Sequence, residues 1–200
     1  MERKKKNILE LTRITCEDYR ALEKLPVVLA CDNVRSMMNV GSLLRTCDAF
    51  LIGEVLLGGI TGCPPHPEIA KTALGADRSV RWRHVDDLYA ELRRFKEEGW
   101  RIAALEQTHN SVPLQEFIPA CDERYVLVVG NEVQGVDQRI VDLADTALEI
   151  PQCGTKHSLN VSVSGGIALW HFFSNINNYK DTLKSATIIQ YTIKGRFMSR

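Results

Sequence analysis

The sequence predicts an α/β fold, a mostly parallel sheet flanked by helices, on three observations. Short apolar runs recur, as VVLAC (27–31), EVLLGG (54–59), WRIAAL (100–105) and RYVLVVG (124–130). Stretches with helical spacing lie between them, and glycines and amides gather directly after the runs. Runs that are apolar throughout are buried on both faces, and their alternation with helices is the mark of βαβ units. Ligand sites of such sheets lie in the loops beyond the carboxyl ends of the strands.

In chain order, VVLAC is bounded by Pro26 and Asp32 and is the first buried strand. From Asn39 to Phe50, Leu43, Leu44 and Cys47 share one side of a helix, and Gly53 is its expected stop. Residues 54–59 form the next strand, and GGITGCPPHPE leads to a helix at 67–75 and a short strand near 79–82. DDLYAELRRFKEEG places Leu88, Leu92 and Phe95 at helical spacing and ends at Gly99, as a surface crossover helix does. After strands 100–105 and 124–130 come a short helix at 137–144 and the last strand, ALEIP. The final helix, about Asn160 to Phe173, contains Gly165 and Gly166. Each costs roughly 1 kcal/mol in a helix interior, so packing or function must hold them. Residues 175–200 fit a helix, an edge strand or a tail equally.

Composition sets outer limits. The chain has 200 residues, 25 basic and 25 acidic, with 44% hydrophobic residues, enough for one substantial domain. No apolar run nears the roughly 18 residues of a membrane span, and polar residues interrupt the basic N-terminus where a signal peptide needs an apolar core. A cytoplasmic protein with reduced thiols is expected, since its six cysteines include no CxxC pair. Zero net charge argues against a uniformly basic nucleic-acid surface, but the charge is uneven. Residues 1–35 hold eight Lys/Arg against six acids, 177–200 five against one, and 116–149 eight acids against Arg124 and Arg139. Recognition of RNA would then use local patches, Lys4 to Lys6 and Arg35 with the tail charges, and would be sensitive to salt.

Three segments carry chemistry: NVGSLLRT (39–46), LVVGNEVQGVD (127–137) and IPQCGTKHSLNVSVSGGIAL (150–169). GNEVQG follows a buried strand, where backbone N–H groups and a carboxylate can grip a polar ligand; a tight turn with a capped helix is the plain alternative. Ser158 or Asn160 is a candidate N-cap. Arg45, inside an apolar helical pattern, needs an anionic or carbonyl partner, catalytic or structural. GxGxxG is absent, which removes the main support for a dinucleotide. No Ser-His-Asp or Cys-His arrangement and no zinc spacing is present. His66, His84, His109 and His171 read as surface or core histidines, Cys153 as a small buried residue, and Trp82, Trp100 and Trp170 as core packing.

Over about residues 24–174 the chain resembles the SpoU, or TrmH-like, RNA ribose 2'-O-methyltransferases of the SPOUT superfamily. NVGSLLR matches its Asn-x-Gly-x-x-x-Arg motif, GNEVQG its Gly-Asn-Glu-x-x-Gly loop, and SLNVS the segment entering its last helix. The resemblance implies a deep C-terminal trefoil knot, a homodimer, no metal, and methyl transfer from S-adenosylmethionine to a ribose hydroxyl of RNA. It implies a catalytic centre of Asn39, Arg45, Glu132, Ser158 and Asn160, with Arg45 central. Cofactor contacts would come from Leu105, Glu106, Gln107, Gly130, Asn131, Glu132, Ile150, Pro151, Cys153, Ser158, Leu159, Asn160 and Val161. Residues 26–174 are then the methyltransferase domain between a basic extension (1–25) and a C-terminal one (175–200). Without the N-terminal domain of roughly 80 residues that rRNA-modifying relatives often carry, tRNA is the favoured substrate, with a D-loop guanosine as a candidate target. An rRNA substrate, a catalytically silent RNA-binding homologue and a metabolic nucleotide- or sugar-binding enzyme are the alternatives.

Overall fold

The computed structural model describes residues 3–5, 7 and 14–176. Seven strands form one sheet: β1 (Leu25–Asp32), β2 (Ile52–Gly58), β3 (Trp82–Val85), β4 (Arg101–Leu105), β5 (Val112–Pro113), β6 (Tyr125–Val129) and β7 (Thr146–Glu149). Their order is β3-β2-β1-β6-β4-β7-β5, and every pair is parallel. All five residues of β6 are buried, as a central parallel strand requires.

Successive strand residues point to opposite faces, so β1 feeds two cores. Val27, Leu29 and Cys31 pack with α2 (Met37–Ala49), α3 (Pro67–Ala73) and α7 (Val161–Asn175) through Leu43, Leu44, Ile69, Leu169 and Phe172. Val28 and Ala30 face α5 (Leu88–Glu97) and α6 (Gln138–Leu143) through Leu92, Phe95 and Ile140. Two short helices, α1 (Cys16–Ala21) and α4 (Ala76–Ser79), complete the first layer, α1 through buried Tyr19.

The chain from β4 to β6 passes over α7. Phe117 packs on Phe172 with rings tilted by 49° and centroids 5.7 Å apart, and its carbonyl pairs with His171 Nε2 at 2.6 Å. On its other side α7 packs on α2 and β6, where a methyl built on Gly165 would lie 2.7 Å from Leu43 Cδ2. The last described helix is thus held between the link from β4 to β6 and the sheet, the arrangement that fits the trefoil-knotted threading the resemblance implies and that chains otherwise avoid. The same contact explains one of the two glycines that lower α7's propensity: Gly165 is where the helix meets α2 and β6, whereas a methyl on Gly166 would meet only Thr46 Cγ2 at 3.9 Å.

Several expectations are corrected. Gly53 does not stop the first long helix; it lies inside β2, and the chain reverses at Leu51 with φ 54°. The helix expected at 67–75 is split, because Leu74 (φ 50°) and Gly75 (φ 98°) are left-handed and α4 follows. The short strand is Trp82–Val85 instead of 79–82, and α1 and β5 carried no readable signal. Trp170 is no core residue but 51% exposed, and Cys153 is exposed instead of buried. The C-terminal extension beyond residue 176 lies outside the described residues.

Gly41 sits where α2 and α3 approach most closely. A methyl there would overlap Thr72 Oγ1 and the carbonyl oxygen of Ile69. Alanine in place of a helical glycine ordinarily stabilises by about 1 kcal/mol. Gly41→Ala is instead expected to destabilise by about 1–3 kcal/mol through overpacking, measured by urea denaturation.

Candidate active site

The loops after β4, β6 and β7 converge at the carboxyl edge of the sheet around a cleft of about 480 Å³. Leu105, Glu106, Gln107, Gly130, Asn131, Glu132, Ile150, Ser158, Leu159, Asn160 and Val161 line it. Pro151 and Cys153, expected with them, are exposed and stand outside the lining, because alternate residues of that stretch, Ile150 and Gln152, are the ones that face the cleft. Glu149, Gln152, His157 and Ser164 also line it. Glu149 was hidden as the polar end of an apolar strand, although a polar residue at a carboxyl end was the available signal.

The loop after β6 is both the tight turn and the gripping loop that the sequence left open. Asn131 and Gly135 exchange two backbone hydrogen bonds of 2.9 Å, and Asn131 Oδ1 accepts from Val133 N and Gln134 N. Asn131 Nδ2 donates to the Asn33 carbonyl at 2.8 Å, and buried Asp32 accepts from Asp137 N at 2.7 Å. The last residues of β1 therefore fix both ends of this loop, while Asp137 caps α6.

This frame aims Glu132 at the start of α2. Its carboxylate accepts from Arg35 N at 3.0 Å, Ser36 N at 3.1 Å and Asn39 Nδ2 at 3.0 Å. Asn39 Oδ1 in turn accepts from Asn160 Nδ2 at 3.1 Å, and Asn160 caps α7 by accepting from Ser162 N. Side chains from three distant motifs thus form one chain of hydrogen bonds at the cleft. The backbone donors of Arg35 and Ser36 leave no trace in residue type, so sequence reading missed them. Partial burial raises the Glu132 pKa, but the N–H donors of Arg35, Asn39 and Ser36 outweigh it and hold the carboxyl below its usual range.

Ser158 lies on the lining with no hydrogen-bond partner among the described residues. Arg45 is placed apart. Six residues along α2 carry it ~9 Å beyond Asn39 and about a third of a turn away. It is exposed, with no hydrogen bond or ion pair among the described residues, so the structural salt bridge considered for it is absent there. Cys31 and Cys47 are buried, and burial pushes the Cys31 thiol up to about 12, so neither offers a thiolate. No group of three His, Cys, Asp or Glu among the described residues could hold a metal ion, and no helix among them is long and apolar enough to cross a membrane.

The chemistry of the lining is selective. Leu105, Leu148, Ile150, Leu159 and Val161 supply apolar surface, while Glu106, Glu132 and Glu149 supply carboxylates without a lysine or arginine. Such walls suit a neutral or cationic ligand with apolar parts, and disfavour a polyphosphate. The sulfonium, adenine and hydroxyls of S-adenosylmethionine fit this set.

The model of the SpoU rRNA methylase family matches residues 26–170. A tRNA (guanosine(18)-2'-O)-methyltransferase of Aquifex aeolicus is 35% identical over 150 residues, 72% of this chain and 67% of that protein. The crystal structure of an A. aeolicus TrmH/SpoU tRNA modifying enzyme superposes with a TM-score of 0.69 at 29% identity, covering 88% of this chain and 95% of that one. An AdoMet-bound rRNA methyltransferase of Sinorhizobium meliloti gives 0.69 at 25% identity, covering 77% of this chain and 59% of that one. Other similar curated proteins are longer, this chain spanning 59% or 64% of them.

The carboxylate of Glu132 contributes stability that is full above the ordinary glutamate pKa and is lost as pH falls through its depressed native value. The stability gap between wild type and Glu132→Gln should therefore be constant at neutral pH and close toward acid pH in denaturation series. A gap that does not change with pH would contradict the depressed value.

Proposed function

The chain belongs to the SpoU rRNA methylase family, and we propose that it transfers a methyl group from S-adenosylmethionine to a ribose 2'-hydroxyl of RNA, tRNA before rRNA. The observation that carries this reading is the hydrogen-bonded chain Glu132–Asn39–Asn160 at the mouth of a carboxylate-lined cleft. In this reading residues 26–174 are the methyltransferase domain, 1–25 and 175–200 are extensions, and the protein acts in the cytoplasm.

The lining from Leu105 to Gln107, Gly130 to Glu132, Ile150 and Ser158 to Val161 would hold S-adenosylmethionine, which when bound supplies an electrophilic methyl group on sulfonium. The ribose hydroxyl is a weak acid and must shed its proton as it attacks, so the chain's own residues have to orient it and stabilise the developing alkoxide. Asn39 and Asn160 offer side-chain amides to the ribose or to Arg45, and Glu132 fixes their direction. Ser158 adds a hydroxyl free to hydrogen-bond the incoming groups. Arg45 is a cation and a poor base, suited to electrostatic stabilisation. Base action would require an RNA phosphate to take up the proton.

The place of Arg45 supports a homodimer. Met38, Ser42, Arg45 and Ala49 recur on one side of α2, beside a stripe on α7 of Val163 (50% exposed), Ile167 (41%) and Trp170. The two faces are continuous, for Trp170 lies 5.5 Å from Phe50, just past the end of α2. A second copy covers this apolar surface, and Arg45, at its centre, is then delivered to the catalytic centre across the interface.

The name of the Aquifex relative supports a guanosine of the tRNA D-loop as target. Ribosomal RNA is the second reading, favoured by the likeness to the S. meliloti enzyme. The RNA surface includes Arg35, Lys4 and Lys5; Lys6 and the tail charges lie outside the described residues. Labelled S-adenosylmethionine incubated with total tRNA and rRNA, followed by mapping of the modified nucleotide, tests the reading. Product on neither RNA would overturn it.

Two variants follow. Arg45→Ala is expected to lower methyl transfer ~10²–10³-fold while S-adenosylmethionine binding, measured by calorimetry, persists. Ile167→Glu is expected to give a monomer in analytical ultracentrifugation, with activity lost in parallel.

A further inference from the structure

The residues leaving β4 tie together the two other loops of the cleft. Glu106 Oε2 accepts from Val136 N at 2.9 Å, thirty residues along the chain, and its Oε1 accepts from Gln107 N at 2.8 Å. Gln107 Nε2 donates to the His157 carbonyl at 3.1 Å, fifty residues along. Gly135 has φ 71°, and a methyl built on it would overlap Glu106 Oε2. The second glycine of GNEVQG is therefore the notch that admits this carboxylate.

With the chain from Glu132 through Asn39 to Asn160, these contacts close a ring. It runs from Glu106 to Val136, back along the loop to Glu132, across Asn39 to Asn160, along the chain to His157, and through Gln107 to Glu106. Glu106, Gln107, Gly135 and His157 all line the cleft, so a ligand seated there touches both arms of the ring. One arm ends on Glu132 and the other on Asn160. Both oxygens of Glu106 are already engaged by backbone N–H groups, which makes it a strut between loops.

We propose that Glu106 and Gln107 are positioning residues that couple occupancy of the cleft to the setting of Glu132 and Asn160, so that the groups meeting the ribose are held more firmly when the cofactor is in place. This rests on the reading of the cleft as the S-adenosylmethionine site. Neither residue reaches Asn39 or Asn160 directly; each acts through the loop it holds. A fixed loop loses amide exchange, so the coupling is visible without turnover.

The test is hydrogen exchange of wild type, Glu106→Ala and Gln107→Ala with and without S-adenosylmethionine, beside calorimetry and steady-state kinetics. In wild type the cofactor should slow exchange at both 130–137 and 157–162. Glu106→Ala should keep the response at 157–162 and lose it at 130–137, and Gln107→Ala should show the reverse. Both variants should lower kcat at saturating cofactor about tenfold, beyond any rise in KM. If Glu106→Ala does not fold, Gly135→Ala, which expels the same carboxylate, is measured in its place and must give its pattern. Full responses of both loops in either variant, or a raised KM for S-adenosylmethionine with kcat unchanged, overturn the coupling. Absence of S-adenosylmethionine binding to wild type in calorimetry overturns the cofactor reading itself.

Discussion

The carboxylate of Glu132 is the constraint on which the site depends. It stands on a loop after one central strand and is satisfied by donors beyond the end of the neighbouring strand, 93 to 97 residues earlier in sequence. A carboxylate with three N–H donors is held in one place, and those donors hold its pKa below the usual range. That fixed acceptor sets the amide of Asn39, and Asn39 sets that of Asn160. The sheet makes this possible, since β1 and β6 are parallel neighbours whose loops leave from the same edge.

Much of this was legible in the sequence. The strands VVLAC, RIAAL and YVLVV are apolar without alternation, so their place in the middle of a parallel sheet follows from composition alone. GNEVQG and SLN marked the cleft because glycines, amides, a hydroxyl and a carboxylate beside apolar runs suit a turn, a helix cap or a polar ligand. What stayed hidden depends on tertiary neighbours. Glu106 and Glu149 read as ordinary ends of strands until other loops were seen around them, and backbone donors at Arg35 and Ser36 have no residue signature. Trp170 was misread because an apolar helix face looks the same whether its own core or another surface covers it. Leu51 and Leu74 adopt left-handed φ without being glycine, so the turns there escaped notice.

Charge is divided in the same spirit as shape. The late-middle acids that balance the overall charge are partly structural: Asp145 pairs with Lys96 at 3.1 Å, Glu123 with Arg101 at 2.9 Å and Asp137 with Arg139 at 2.9 Å. These exposed pairs contribute little stability, but they offset three of that region's eight acids. Arg45, by contrast, stands exposed without a partner among the described residues, and the carboxylates of the cleft accept from N–H groups and, at Glu149, from the Ser111 hydroxyl instead of pairing with cations. Zero net charge therefore coexists with charge of both signs that has no ionic partner among the described residues, at Arg45 and along the cleft.

The threading of α7 beneath the link from β4 to β6 has a consequence for assembly. Asn160 stands at the entrance of the threaded helix, so it can meet Asn39 only after the chain's last described helix has passed through. A nascent chain that ends before α7 can pair β1, β6 and β4 and place Glu132 over α2, yet it holds two of the three motifs. The hydrogen-bonded chain of Glu132, Asn39 and Asn160 is thus completed by the same late event that closes the knot, and partly made chains lack it.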